Sequence, residues 1–223
     1  MGHFSPVNGL ICGFIVRLDQ KIYPMRIYLF LLLSPFMMAQ EQQLPLYEIP
    51  PAPSVLSPGD LIARMIQGLG YRFYWASNDL VPKDLAYRPS DGAASSLETL
   101  QHIYSLSLLI RKTAASKPFN RRLEKIPNDY KVLRKNILIH LDESAQLFSG
   151  KNAEQLQKMQ VVFEREEGMS RFPIWNFLNG PLSDAIYHTG QLVSFRRTTG
   201  NPIQKGVNVF LGKTKDLSPP SGD

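Results

Sequence analysis

The sequence predicts an all-α protein built as an antiparallel bundle of four helices. Four segments place apolar residues at helical spacing between start and stop signals, no stretch sustains the period-two alternation of strands, and no fixed-period self-similarity suggests a repeat array. The chain has 223 residues, 43% hydrophobic and 20% charged, an ordinary globular composition that can bury a substantial core without crosslinks.

Ser57-Pro58-Gly59-Asp60 opens the first helix, with Ser as cap and Pro at the first helical position. Leu61, Ile62, Met65, Ile66, Leu69 and Phe73 then recur on one face toward Asn78. Residues 81–92 hold two Pro and a Gly and read as a connection. Ser95 or Ser96 caps the second helix, whose stripe is Leu97, Leu100, Ile103, Tyr104, Ser107 and Ile110. The third follows Pro127-Asn128 with Tyr130, Leu133, Ile137, Leu141 and Phe148, and Gly150 ends it. Residues 152–167 are polar and weakly amphipathic, an accessory helix or a long excursion. The fourth helix starts near Pro173, carries Leu178, Pro181, Ala185, His188, Leu192 and Phe195, and stops at Gly200-Asn201-Pro202.

Outside the domain, Met25-Arg26 precedes the apolar run 27–39 and the polar Gln40-Glu41-Gln42-Gln43. This reads as a secretory signal over 25–39, because the run falls short of the roughly 20 residues that span a bilayer. Cleavage after Ala39 leaves an exported chain, periplasmic or extracellular, without Cys and without a membrane span; a retained anchor helix is the alternative. Residues 1–24 are a doubtful extension, 40–56 a Pro-rich linker, 57–203 the domain and 204–223 a loose tail. The net charge of +6 is dispersed, with basic clusters no longer than Arg121-Arg122 and Arg196-Arg197, which argues against a nucleic-acid partner. A homodimer is compatible with this reading.

With Cys12 alone, a disulfide within the chain and a Cys-rich zinc site are both excluded, so any metal is held by His and carboxylate. Asp184 and His188 are one turn apart on the apolar side of the fourth helix, and a buried carboxylate there needs a partner or a cation. His102 flanks the apolar face of the second helix, and Glu98, one turn before it, is placed to support that imidazole or line a pocket. If these helices are neighbours, His102, Asp184 and His188 converge. They then either bind a divalent transition metal with open positions or form a His–Asp hydrogen bond that orders the core. Zinc and nickel lead among the metals, with iron and manganese also fitting. Gln191 is placed to hold a ligand, and Trp175 and Asn179 to line a pocket mouth, with Trp175 equally able to be core. Arg196 suits either an anionic substrate or the helix dipole. His140 is structural, and no Gly-x-Ser-x-Gly elbow supports a Ser nucleophile.

The stretch Ala94-Ser95-Ser96-Leu97-Glu98-Thr99-Leu100-Gln101-His102-Ile103, followed by Asp184-Ala185-Ile186-Tyr187-His188-Thr189-Gly190-Gln191-Leu192, resembles the DinB-like (DinB/YfiT-like) family of metalloenzymes. The resemblance covers roughly residues 57–203 and implies an up-and-down four-helix bundle. It implies that His102 is the first metal ligand and His188 the last, with Gly190-Gln191 as the family's Gly-Gln pair. Asp184 stands where many members have a middle His. The activities implied are a metal-dependent hydrolase or a thiol-dependent transferase on an unknown small molecule. A different class stays open: a noncatalytic envelope bundle that binds a small molecule or protein, with the triad as a polar core cluster.

Overall fold

A computed structural model describes residues 43–215; the expected signal segment 25–39 and the extension before it lie outside the described residues. The chain is mostly helical, with two small antiparallel hairpins. Its elements in order are α1 (Pro58–Ala76), α2 (Pro82–Ala86), α3 (Ser96–Ala114), α4 (Tyr130–Phe148), α5 (Ala153–Gln157), β1 (Gln160–Arg165), β2 (Gly168–Pro173), α6 (Trp175–Phe177), a π-helical turn (Leu178–Leu182), α7 (Ser183–Thr199), β3 (Val207–Asn208) and β4 (Lys213–Thr214). Among the described residues no helix is long and apolar enough to cross a membrane.

Local chemistry sets the ends of the long helices. Ser57 and Asp60 form a reciprocal cap on α1, Ser95 and Glu98 do the same on α3, and the Asp129 side chain caps α4. Each long helix packs on two others, α1 and α3 both lying against α4 and α7. The core between them holds Phe73, Leu100, Ile103, Leu133, Ile137, Leu141, Phe148, Phe177, Leu182 and Leu192.

The helix directions differ from the expected up-and-down order. Contacts between α3 and α4 advance together along both helices, from Gln101 with Asn128 (2.9 Å) through Ser107 with His140 (3.0 Å) to Arg111 with Glu143, so the two are parallel. Helix α1 is antiparallel to α4, with Asp60 at Ser149 (2.7 Å) and Asn78 at Arg134 (3.1 Å). Helix α3 is antiparallel to α7, since His102 meets Asp184 and His188 while Tyr87, bonded to the start of α3, stacks on Phe195. The order is therefore up, down, down, up. A parallel pair needs a return path, and residues 115–129 supply it, with a reach of roughly 50 Å extended against roughly 28 Å of helix.

Four stretches behave differently from the sequence reading. Residues 160–173 form the β1–β2 hairpin rather than helix: Val161 is buried, Phe163 packs against the core, and Phe119 of the return path bridges to Phe163. Within the 81–92 connection, Pro82 starts the short α2 and Asp84 accepts from Val81 N (2.9 Å). The fourth helix is not continuous from Pro173: Gly180 leaves helical geometry (φ −84°, ψ −112°) and Pro181 removes a donor, so a π-helical turn resets the register before Asp184. Described parts of the expected linker and tail dock. Leu46 is buried in the notch at Gly70, where a Cβ would meet its Cδ1 at 2.1 Å, and Ile49 N donates to Gly212 O (2.9 Å).

Candidate metal centre

Two helices position the centre. The Ser95–Glu98 cap fixes the start of α3, which places His102 on the side facing α7. The π-helical turn, braced by the Ser183 hydroxyl donating to Leu178 O (2.6 Å), sets Asp184 in the first turn of α7, where the helix dipole favours a carboxylate. His188 lies one turn further, between the buried Ala185 and Leu192.

Both imidazoles meet the one carboxylate. His102 Nε2 is 3.3 Å from Asp184 Oδ2 and His188 Nε2 is 3.2 Å from Asp184 Oδ1, with the rings edge to face at 4.4 Å between centroids. One donor atom from each residue lies within 4.8 Å of the others. Donors bound at about 2.1 Å to one ion sit roughly 3.0–3.4 Å apart, so the carboxylate-to-imidazole separations suit a shared cation. Gln191 Oε1 lies 2.7 Å from His188 Nδ1, and an acceptor there places the proton on Nδ1 and leaves Nε2 a free lone pair. The side chains of His102, Asp184 and His188 are 40%, 43% and 22% exposed, so a small molecule reaches them from solvent. The two-His, one-carboxylate set fits a divalent transition metal with positions left open.

The remaining expected residues divide sharply. Gln191 is at the site. Glu98 is turned away: its carboxylate accepts from Ser95 N (2.8 Å) and pairs with Arg88, which together hold its pKa down at about 2. Arg196 is buried at the C-terminal end of α1, donating to Trp75 O (3.0 Å) and Asn201 O (2.8 Å), and burial lowers its pKa. It is a structural clamp and not an anion site, because its donors are already taken by carbonyls. Trp175 is 75% exposed, so it is not core, and Asn179 is exposed on the π-helical turn. His140 is buried with Nδ1 at the Ser107 hydroxyl (3.0 Å), as a structural histidine should be. Sequence reasoning missed Tyr187, which lies edge-on to His188 at 5.3 Å; its place next to His188 in sequence was the available signal.

No family model matches the chain, and no curated protein matches it. A solved structure similar to it is that of a DinB-like protein, YjoA, from Bacillus subtilis, at 17% identity and a TM-score of 0.47, with 63% of this chain and 92% of that chain covered.

Proposed function

We propose that this chain is an exported DinB-like four-helix bundle that holds one divalent transition metal, zinc or nickel before iron or manganese, through His102, Asp184 and His188. The observation that carries the reading is the meeting of three donors from two helices at a point that solvent reaches. A His–Asp pair that served only the core would be buried, as His140 is; this triad is not. When bound, the ion supplies Lewis acidity at its open positions, the chemistry of a hydrolase or a thiol-dependent transferase.

The chain's own residues do the positioning. Asp184 holds His102 through its Nε2 and stands 3.2 Å from His188 Nε2, and Gln191 fixes the tautomer and rotation of His188. Tyr187 is 65% exposed and lies at the edge of the His188 ring.

The test is elemental analysis of protein purified without a chelating tag, wild type beside His188→Ala and Asp184→His. The proposal expects near-stoichiometric metal in wild type, none in His188→Ala, and retained uptake with altered metal preference in Asp184→His, as imidazole replaces the harder oxygen. Absence of zinc, nickel, iron and manganese from wild type and Asp184→His alike would leave the noncatalytic envelope bundle as the better reading.

A further inference from the structure

The β3–β4 hairpin carries a feature that neither the core nor the triad uses. Its tip, Val209-Phe210-Leu211, is exposed at 44%, 91% and 55%. Three consecutive exposed apolar residues at a turn are costly in water, where turns are ordinarily polar. The tip is also stiff. Asn208 Oδ1 accepts from Phe210 N (3.1 Å) and Leu211 N (3.0 Å), and Gly212 N donates to Asn208 O (2.8 Å). The hairpin is seated on the body by Ile49 N to Gly212 O (2.9 Å) and by Tyr71 Oη at 2.8 Å from Thr214 Oγ1. Gly212 has φ +68°, and a Cβ there would lie 2.6 Å from Ile49 Cδ1, so only glycine permits this close seat. The three apolar side chains are thereby held away from the protein body.

Charge identifies the occupant. Lys205, Lys213 and Lys215 are exposed on the same hairpin, and residues 202–215 contain no Asp or Glu; the adjacent acids in the chain are Glu48, beside Ile49, and Asp216. A specific protein interface buries about 800 Å² on each partner, which a three-residue convex tip does not offer. Interfacial insertion into lipid needs only a few apolar side chains flanked by cations. We infer that this hairpin is a membrane-docking wedge. Phe210 and its neighbours enter the interfacial layer of an anionic phospholipid surface, and the three lysines meet headgroup phosphates. The wedge is independent of metal binding.

The experiment compares the full chain with Phe210→Asp and Phe210→Trp, mixed with vesicles of phosphatidylcholine alone or with a quarter phosphatidylglycerol. Withdrawing one phenyl ring from the lipid corresponds to about a 10- to 100-fold loss of affinity. Phe210→Asp should lose binding to the anionic vesicles by that factor. Phe210→Trp should show added emission that moves to the blue with anionic vesicles and returns as salt is raised. Equal binding of wild type and Phe210→Asp overturns the wedge. So does emission from Phe210→Trp that stays water-like while the protein sediments with vesicles, which would place docking elsewhere in the chain. A blue shift without vesicles that grows with protein concentration also overturns it, in favour of self-association.

Discussion

His140 makes stability depend on pH in a direction that can be worked out. It is 7% exposed, packs on Tyr104 at 5.5 Å between centroids, and its Nδ1 meets the Ser107 hydroxyl at 3.0 Å. Burial first, and the Arg111 guanidinium second, lower its pKa from 6.5 to about 4. The unfolded chain therefore takes up this proton at a higher pH than the folded one. The contribution of neutral His140 is complete above pH 6.5 and is lost progressively as the pH falls from there to about 4. The shift corresponds to about 3 kcal/mol at full development. Urea unfolding of wild type and His140→Gln at several pH values between neutral and acid tests this. The difference between their stabilities should shrink by about that amount on acidification, because only wild type must expel a proton to fold. Carboxylates protonate over part of the same range in both proteins and cancel in the difference. A stability difference that is flat across the range would refute a buried neutral His140.

Three further outcomes follow from the same structure. Gln191→Ala frees His188 Nδ1 and should weaken metal affinity about 10- to 100-fold in a zinc titration while leaving the melting curve almost unchanged; an unaltered affinity would remove Gln191 from the site. Arg196→Met strips the partners from Trp75 O and Asn201 O, while Asp84 keeps its bonds from Val81, Thr199 and Asn201. It should cost about 1–3 kcal/mol in urea without lowering metal content, and loss of metal with stability intact would contradict the clamp. Leu46→Ala empties the notch at Gly70 and should cost about 2–4 kcal/mol, with early proteolysis of residues 43–50; no measurable cost would mean that this stretch is a linker after all.

The residues of the triad were legible because their signals are local. Asp184 and His188 share a face by spacing alone, and His102 sits on the flank of a clear apolar stripe. Their meeting was expected from the family resemblance and not from spacing, which does not say which helices are neighbours. The directions of α3 and α4 were missed for the same reason: residues 115–129 are long enough to turn back or to run the length of a helix, and the return is fixed by Phe119 pairing with β1 far along the chain. The β1–β2 hairpin was hidden by Glu164, Glu166 and Glu167, which favour helix, although Val161, Val162 and Phe163 are a β-branched and aromatic run suited to a strand. Glu98 carried its own explanation in the Ser95-x-x-Glu98 capping spacing, which assigns that carboxylate to the helix end rather than to His102. Arg196 had no comparable signal, because the carbonyls it holds belong to a helix remote in sequence.

Anomalous diffraction at the metal edge, from crystals of metal-loaded protein, decides whether the triad holds an ion. One peak is expected about 2.0–2.2 Å from His102 Nε2, an Asp184 carboxylate oxygen and His188 Nε2, with Gln191 still on His188 Nδ1. His102 still hydrogen-bonded to Asp184, with no anomalous peak between the three side chains at saturating metal, would contradict it.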